Sequence, residues 1–127
     1  MLMAVVAALS YAFLYSRPTF VSISADQASH LIDNEEDTFI LDVRTRSEYE
    51  NDGHIPGANL IPHDEISHAT ERLPRNKTHT ILVYCRSGRR SRSASRQLAE
   101  LGYVDVRNMK GGFNKWSTRG FPVVGGP

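Results

Sequence analysis

Short apolar segments alternate along this sequence with segments that carry the spacing and start signals of helices. Five apolar runs are typical of strands: FVSI (20–23), FILDV (39–43), ANLI (58–61), TILVY (80–84) and VDVRN (104–108). The runs around Ile40 and Leu82 are almost continuously apolar, as expected for strands that are covered on both faces. The alternation therefore predicts an α/β domain with a central, mostly parallel five-stranded sheet and helices on both faces.

Helix start signals lie between these strands. Ser24 and Thr45 each open a capping-box pattern, with a glutamine or glutamate three residues later. Asp64 is predicted to begin a helix that runs to Leu73. The clearest helical pattern covers residues 91–101, with one apolar stripe that includes Leu101. A last short helix is predicted after the glycine pair at 111 and 112.

Residues 1–16, MLMAVVAALSYAFLYS, contain no charged side chain. A helix of this length would reach about 24 Å, slightly less than a hydrocarbon core of about 30 Å. Three interpretations stay open: a membrane anchor, a cleaved signal segment that lacks the usual preceding basic residue, and an ordinary buried helix. We therefore expect the domain to be membrane-anchored or exported, on a side of the membrane that the few flanking charges leave open.

The chain contains a single cysteine, Cys85, at the start of the segment CRSGRR. One thiol cannot form a disulfide within the chain, and the spacing of the cysteine and the five histidines does not resemble a zinc site. A net charge of +1 gives no reason to expect a nucleic-acid partner. Three arginines and a glycine directly behind the thiol are unusual for a cysteine that only packs in a core.

The predicted elements place this loop between a strand and a helix. The strand ends just before Cys85, and ligands of parallel sheets bind beyond the C-terminal ends of the strands. Unpaired N–H groups and the helix dipole at the start of the next helix favour negative charge, so we expect a lowered pKa for the Cys85 thiol. Gly88 lets the loop N–H groups converge, while Arg86, Arg89 and Arg90 add positive charge. The pattern predicts a nucleophilic sulfur in an anion-binding cradle.

Three segments resemble the motifs of the rhodanese (sulfurtransferase) family. CRSGRR resembles its active-site loop, C-R-x-G-x-[RT]. ILDVRTRSEYENDGHIPGANLIP (40–62) resembles its upstream signature of L-D-V-R, E-[YF] and G-H-I-P-G-A. MKGGFNKWSTRGFPV (109–123) resembles its C-terminal motif, G-G-[FW]-x-x-W-x-x-x-G-x-P-V. The motifs occur in the family's order, and the resemblance implies a rhodanese-like domain over residues 19–124.

The resemblance also implies a mechanism. Cys85 attacks the outer sulfur of a donor such as thiosulfate, sulfite leaves, and the resulting persulfide passes its sulfur to an acceptor such as cyanide or a thiol. No metal and no organic cofactor is implied. The implied substrate-binding residues are Arg86, Ser87, Gly88, Arg89 and Arg90.

Two further residues are implied as supports of the loop rather than as participants in the reaction. Asp42 ends the strand that carries the L-D-V-R motif, and Arg44 follows it closely. We expect the Asp42 carboxylate to pair with a loop arginine, Arg86, and so to brace the loop. His54 and Trp116 are predicted to pack rather than to take part in the chemistry.

Alternative functions use the same cysteine or the same fold. A persulfide carrier in a sulfur relay, with a protein partner, would need the same Cys85 chemistry. A partner-binding module without catalysis usually lacks the cysteine that this chain keeps. A cysteine-dependent phosphatase or arsenate reductase needs Cys-x5-Arg, and that position is Ser91 here, so loop length argues against this class.

Overall fold

The computed structural model describes residues 19–126. The predicted N-terminal apolar helix, membrane anchor or signal segment at residues 1–16 lies outside the described residues. Within residues 19–126, no helix has the length and apolar character that crossing a membrane requires.

Five parallel strands form one sheet. They are β1 (Val21–Ile23), β2 (Phe39–Asp42), β3 (Asn59–Leu60), β4 (Ile81–Tyr84) and β5 (Val106–Met109). The spatial order is β1-β5-β4-β2-β3, so β4 lies at the centre. All four residues of β4 are buried, in agreement with its continuous apolar sequence. The expectation of an α/β domain with a five-stranded sheet is confirmed, and the sheet is parallel throughout.

Residues 19–126 contain four α-helices: α1 (Ala25–Asn34), α2 (Arg46–Asn51), α3 (Arg89–Glu100) and α4 (Gly112–Thr118). The first three connect strands, and α4 follows β5. Both predicted capping boxes are present. The Ser24 hydroxyl accepts from the backbone N–H of Gln27, and the Thr45 hydroxyl accepts from that of Glu48. In each box the backbone N–H of the cap residue donates to the side-chain oxygen of Gln27 or Glu48. Each box thus satisfies two N–H groups that the helix itself leaves unpaired.

The helices cover both faces of the sheet, and each face has its own apolar cluster. One cluster places Val83 and Leu41 of the sheet against Ala94 and Leu98 of α3. The other places Leu82 and Tyr84 against α1 and α4, which contribute residues such as Leu31 and Trp116. Successive β4 residues belong to opposite clusters because side chains alternate across a strand.

The segment predicted as a helix from Asp64 to Leu73 is instead two short 3₁₀ turns, Ile66–His68 and Thr70–Arg72. Neither turn has a side-chain cap, and the prediction of one α-helix was wrong. Helix α3 begins two residues earlier than predicted. Leu101 lies beyond its end and is exposed rather than on its buried stripe.

Candidate active site

Cys85 lies directly after β4, where the central strand leaves the sheet at its C-terminal edge. The loop turns through Gly88, whose φ of 111° lies in the left-handed region, and α3 begins at Arg89. Glycine is the residue that enters this region without steric cost, so it allows the abrupt change of direction. Cys85 thus begins a short loop that leads into the N-terminus of a twelve-residue helix.

The sulfur of Cys85 is buried and is contacted by the loop that follows it. The backbone N–H of Gly88 donates to Sγ at 3.1 Å, and Sγ lies 3.4 Å from Oγ of Ser91. The Ser91 hydroxyl donates to the Gly88 carbonyl at 3.1 Å while it accepts from the thiol. When the thiol loses its proton, this hydroxyl can rotate and donate to the thiolate instead.

These contacts decide the acidity of the thiol. Burial on its own would raise the pKa of Cys85, because it disfavours the charged form. Hydrogen bonds from the Ser91 side chain and from the backbone of Ser91, Gly88 and Ser87 outweigh burial, so the pKa of the Cys85 thiol is lowered. The direction agrees with the sequence-based expectation and makes the thiolate more available at neutral pH.

Helix α4 holds the Cys85 loop through two backbone hydrogen bonds. The backbone N–H of Phe113 donates to the Cys85 carbonyl at 2.8 Å, and that of Asn114 donates to the Arg86 carbonyl at 3.0 Å. Gly112 permits this approach: a Cβ placed on it would lie 2.5 Å from the Cys85 carbonyl oxygen and 2.6 Å from the Arg86 carbonyl. Gly112 of the C-terminal motif therefore allows α4 to support the Cys85 loop.

We expect Gly112→Ala to displace the loop and slow the sulfur transfer that the sequence resemblance implies, whereas Gly120→Ala should not. Both glycines have positive φ, 55° and 76°, so both substitutions carry the strain of about 1–2 kcal/mol. Only Gly112→Ala adds a clash with backbone, at a further cost of about 1–3 kcal/mol, because nothing lies within 4 Å of a Cβ at Gly120. Urea unfolding and persulfide formation measured on both variants test this, and equal losses would contradict it.

The three loop arginines have different surroundings. Arg86 and Arg89 are exposed, and neither forms an ion pair with a carboxylate of residues 19–126. Arg90 is partly buried and holds Glu48 through two hydrogen bonds of 2.6 and 2.9 Å. Arg86 and Arg89 therefore offer their whole charge to a ligand, whereas Arg90 offers a charge already balanced by an acid.

Glu48 was not among the predicted site residues, although it stands in both the capping box and the E-[YF] motif. Its carboxylate accepts from the Thr45 backbone N–H at 3.2 Å and from Arg90. The Arg90 hydrogen bond is the main reason that the pKa of Glu48 is lowered from 4.5 to about 2. A carboxyl with a lowered folded-state pKa stabilises the fold above its ordinary pKa, and this contribution is lost as the pH falls from about 4.5 towards 2.

Asp42 and Arg44 form a fully buried ion pair behind the loop. Arg44 Nη2 lies 2.7 Å from Asp42 Oδ2, and Nε lies 3.0 Å from Oδ1. The same guanidinium donates to the Gly53 carbonyl at 2.7 Å and lies 4.2 Å from the centre of the Phe113 ring. The expectation that Asp42 pairs with Arg86 was wrong, because the nearer Arg44 occupies both carboxylate oxygens.

This pair still supports the loop, by another route than the one expected. Arg44 packs on Phe113, and the Phe113 backbone N–H holds the Cys85 carbonyl. Burial disfavours the Arg44 charge, but the hydrogen bonds and the charge of Asp42 outweigh it and raise the pKa of Arg44. The arginine therefore stays charged, and the pair acts through α4 on the backbone of the loop.

His54 and Trp116 both pack, as predicted. The His54 ring stacks on Tyr49 with 3.6 Å between ring centres and is hydrogen-bonded to the Tyr49 carbonyl. Trp116 is buried, and its Nε1–H donates to the Pro122 carbonyl at 2.8 Å. Across residues 19–126, no three histidine, cysteine or acidic side chains are grouped closely enough to hold a metal ion.

Comparison with known proteins gives one consistent result. Residues 24–119 match the family of rhodanese-like domains. A sulfurtransferase of Allochromatium vinosum is 33% identical over 102 residues, which cover 80% of this chain and 92% of that protein. The thiosulfate sulfurtransferase GlpE of Pseudoalteromonas translucida is 35% identical over 97 residues, with 76% and 89% covered.

Solved structures agree with the sequence comparison. The crystal structure of a rhodanese-related protein from Thermoplasma volcanium superposes with a TM-score of 0.71 at 32% sequence identity. The superposition covers 83% of this chain and 98% of that one. The likeness therefore extends over nearly the whole of that relative.

Proposed function

Given that the chain belongs to the rhodanese-like domain family, we propose that it is a sulfurtransferase that carries sulfane sulfur as a persulfide on Cys85. The observation that carries the proposal is the set of hydrogen bonds around the buried sulfur, which lower the pKa of the Cys85 thiol. A thiolate at this place is the nucleophile that such chemistry needs. The names of the two sulfurtransferase relatives support the same class of reaction.

The first half-reaction loads the sulfur. The Cys85 thiolate attacks the outer sulfur of thiosulfate and forms a new S–S bond. The S–S bond of thiosulfate breaks, and sulfite leaves with the electron pair. The loop N–H groups and the Ser91 hydroxyl, which hold the thiolate in the free protein, then face the negative charge of the persulfide.

The second half-reaction unloads it. Cyanide or a thiolate attacks the terminal sulfur of the persulfide, and the S–S bond to Cys85 breaks. The electron pair returns to Cys85 as thiolate, and the product is thiocyanate or a new persulfide. Neither half-reaction changes the total number of electrons, so the residues of the loop suffice without an added oxidant or reductant.

The intact mass of the protein before and after thiosulfate tests the proposal. We expect a gain of one sulfur atom that is lost again on addition of cyanide. Protein alkylated with iodoacetamide beforehand is the control, because Cys85 is the only thiol in the chain. No gain on a reduced, accessible Cys85 would contradict thiosulfate as the donor, and no gain with persulfide donors either would contradict the function.

Arg90 is proposed to bind the sulfonate end of thiosulfate. Its two hydrogen bonds to Glu48 use two of the five guanidinium N–H groups, so others are left for the donor. We expect Arg90→Ala to raise the KM for thiosulfate about tenfold, because one charge-assisted hydrogen bond is lost. Steady-state kinetics on this variant and on Arg96→Ala, an exposed arginine of the same helix, test it. An equal KM in both variants would contradict the role.

A persulfide carrier that delivers its sulfur to a protein partner is the second candidate. The exposed Arg86 and Arg89, which no acid of the described chain balances, favour an anionic acceptor at the loop. A carrier would form the persulfide in the same mass experiment but would turn over slowly with cyanide or small thiols. Turnover with small acceptors at rates typical of enzymes would contradict the carrier role.

Localisation is proposed from the sequence alone. We propose that residues 1–16 hold the domain at a membrane or direct its export, since they form an uncharged apolar run. The test compares the partition of the full-length chain into membranes with that of a chain that starts at Pro18. Mass spectrometry should first show that the N-terminus of the full-length chain is intact. If the two chains then partition equally into membranes, residues 1–16 are not an anchor.

A further inference from the structure

An open pocket of about 500 Å³ adjoins the Cys85 loop, and neither Glu48 nor Arg90 lines it. The loop contributes one wall and α3 continues it, while β1, β5 and the turn after β5 supply the others. Cys85 is not among the lining residues. The residues that line it are Ser22, Ser87, Gly88, Arg89, Arg92, Asn108, Lys110 and Gly111.

The charges of this pocket all have one sign. Arg89, Arg92 and Lys110 line it, and no acidic residue does. Within residues 19–126 none of the three forms an ion pair with a carboxylate. The N-terminus of α3, between Gly88 and Arg92, adds the positive end of a helix dipole. The pocket therefore favours an anion for two independent electrostatic reasons.

A buried polar group lines the same pocket with one end unused. Asn108 is only 1% exposed, and its Nδ2 donates to Ser22 Oγ at 3.3 Å. Its carbonyl oxygen, Oδ1, has no partner among the described residues. Because the Ser22 hydroxyl can donate as well as accept, a half-turn of the amide would pair Oδ1 with Ser22 and leave the NH₂ group as the free end. An unpaired buried amide is costly, so a ligand that accepts from it would be stabilised.

We propose that this pocket is a second anion site, which binds a phosphate or sulfate group separately from the Cys85 cradle. Arg92 and Lys110 pair with the oxyanion, Asn108 donates to it, and the start of α3 adds N–H groups. The volume exceeds that of a bare tetrahedral anion, so the pocket also accommodates the organic part of a phosphate monoester.

The two sites share one wall. Gly88 donates its backbone N–H to Cys85 Sγ and also lines the pocket. A negative charge bound behind this wall disfavours the Cys85 thiolate, which lowers its reactivity. Occupancy of the pocket thus slows loading of the sulfur without competing for the donor's place.

Titration of the full chain with inorganic phosphate, followed by amide NMR, tests the proposal. We expect saturable shifts of the Asn108 side-chain amide and of the Lys110 and Gly111 backbone signals. They should persist when Cys85 is alkylated, which blocks the cradle. Tighter binding of glycerol 3-phosphate than of inorganic phosphate would identify a phosphorylated molecule as the ligand. The reverse order would identify the free ion.

Three variants complete the test. Arg92→Gln and Lys110→Gln are each expected to weaken phosphate binding about tenfold. Arg96→Gln, on the same helix but outside the pocket, should leave it unchanged. The proposal is overturned if no saturable shift occurs, if the shifts are lost on alkylation, or if Arg96→Gln weakens binding equally. These experiments measure phosphate binding and do not use sulfur transfer. A failure of the second-site proposal can therefore be told apart from a failure of the proposed function.

Discussion

Cys85→Ser is expected to lower the rate of sulfur transfer by about 10³-fold or more, which is the scale of losses seen when a catalytic nucleophile is removed. A hydroxyl at this position keeps the loop hydrogen bonds, but its pKa is too high for it to form the anion that attacks thiosulfate. The variant should also take up no sulfur in the mass experiment. Its steady-state rate with thiosulfate and cyanide, measured beside the parent protein, checks the expectation.

The fold should survive this change, because serine is smaller than cysteine and the neighbouring Gly88 and Ser91 can bond to its hydroxyl. Thermal unfolding of the variant within a few degrees of the parent is the control. Sulfur transfer that persists in Cys85→Ser would show that another group carries the sulfur. A variant that fails to fold would be replaced by Cys85→Ala for the same measurement.

Asp42→Ala is expected to lower the free energy of unfolding by about 3–5 kcal/mol, because it leaves the Arg44 charge buried without its partner. Both side chains are almost fully buried, at 0% and 1% exposure. The exposed pair Asp26–Arg119 is the matched control, with side chains 58% and 52% exposed. Arg119→Ala should cost no more than about 1 kcal/mol.

Urea unfolding of both variants provides the measurement. Asp42→Leu combined with Arg44→Met should recover much of the lost stability, since it removes both charges and keeps the volume. Sulfur transfer by this double variant should nevertheless stay impaired, because the packing of Arg44 on Phe113 supports the loop. A loss in Asp42→Ala no larger than in Arg119→Ala would contradict the structural importance of the pair.

The fold was largely predictable because its signals are local. Continuous apolar runs correspond to the two central strands, and the capping boxes at Ser24 and Thr45 mark the starts of α1 and α2. The segment from Asp64 to Leu73 was mispredicted because its apolar residues have helical spacing but no side-chain cap holds them in one helix. Periodicity alone does not separate an α-helix from two short turns.

The site was predictable in its centre and not in its surroundings. The loop from Cys85 to Arg90 is a contiguous segment, and its position follows from the strand before it. The partners of its charged groups are not contiguous: Glu48 precedes Arg90 by 42 residues. Asp42 could pair with Arg44 or with Arg86 on sequence grounds, and the structure shows that Arg44 donates to both of its carboxylate oxygens. Long-range pairing of this kind needs the tertiary structure.

The attachment of the Cys85 loop to α4 has a consequence for the synthesis of the protein. Chains are made from the N-terminus, so Cys85 leaves the ribosome before Phe113 and Asn114, which hold its loop. During that interval the loop that carries the only thiol of the chain lacks its attachment to α4. A nascent chain therefore completes the backbone support of this loop only when α4 docks on it.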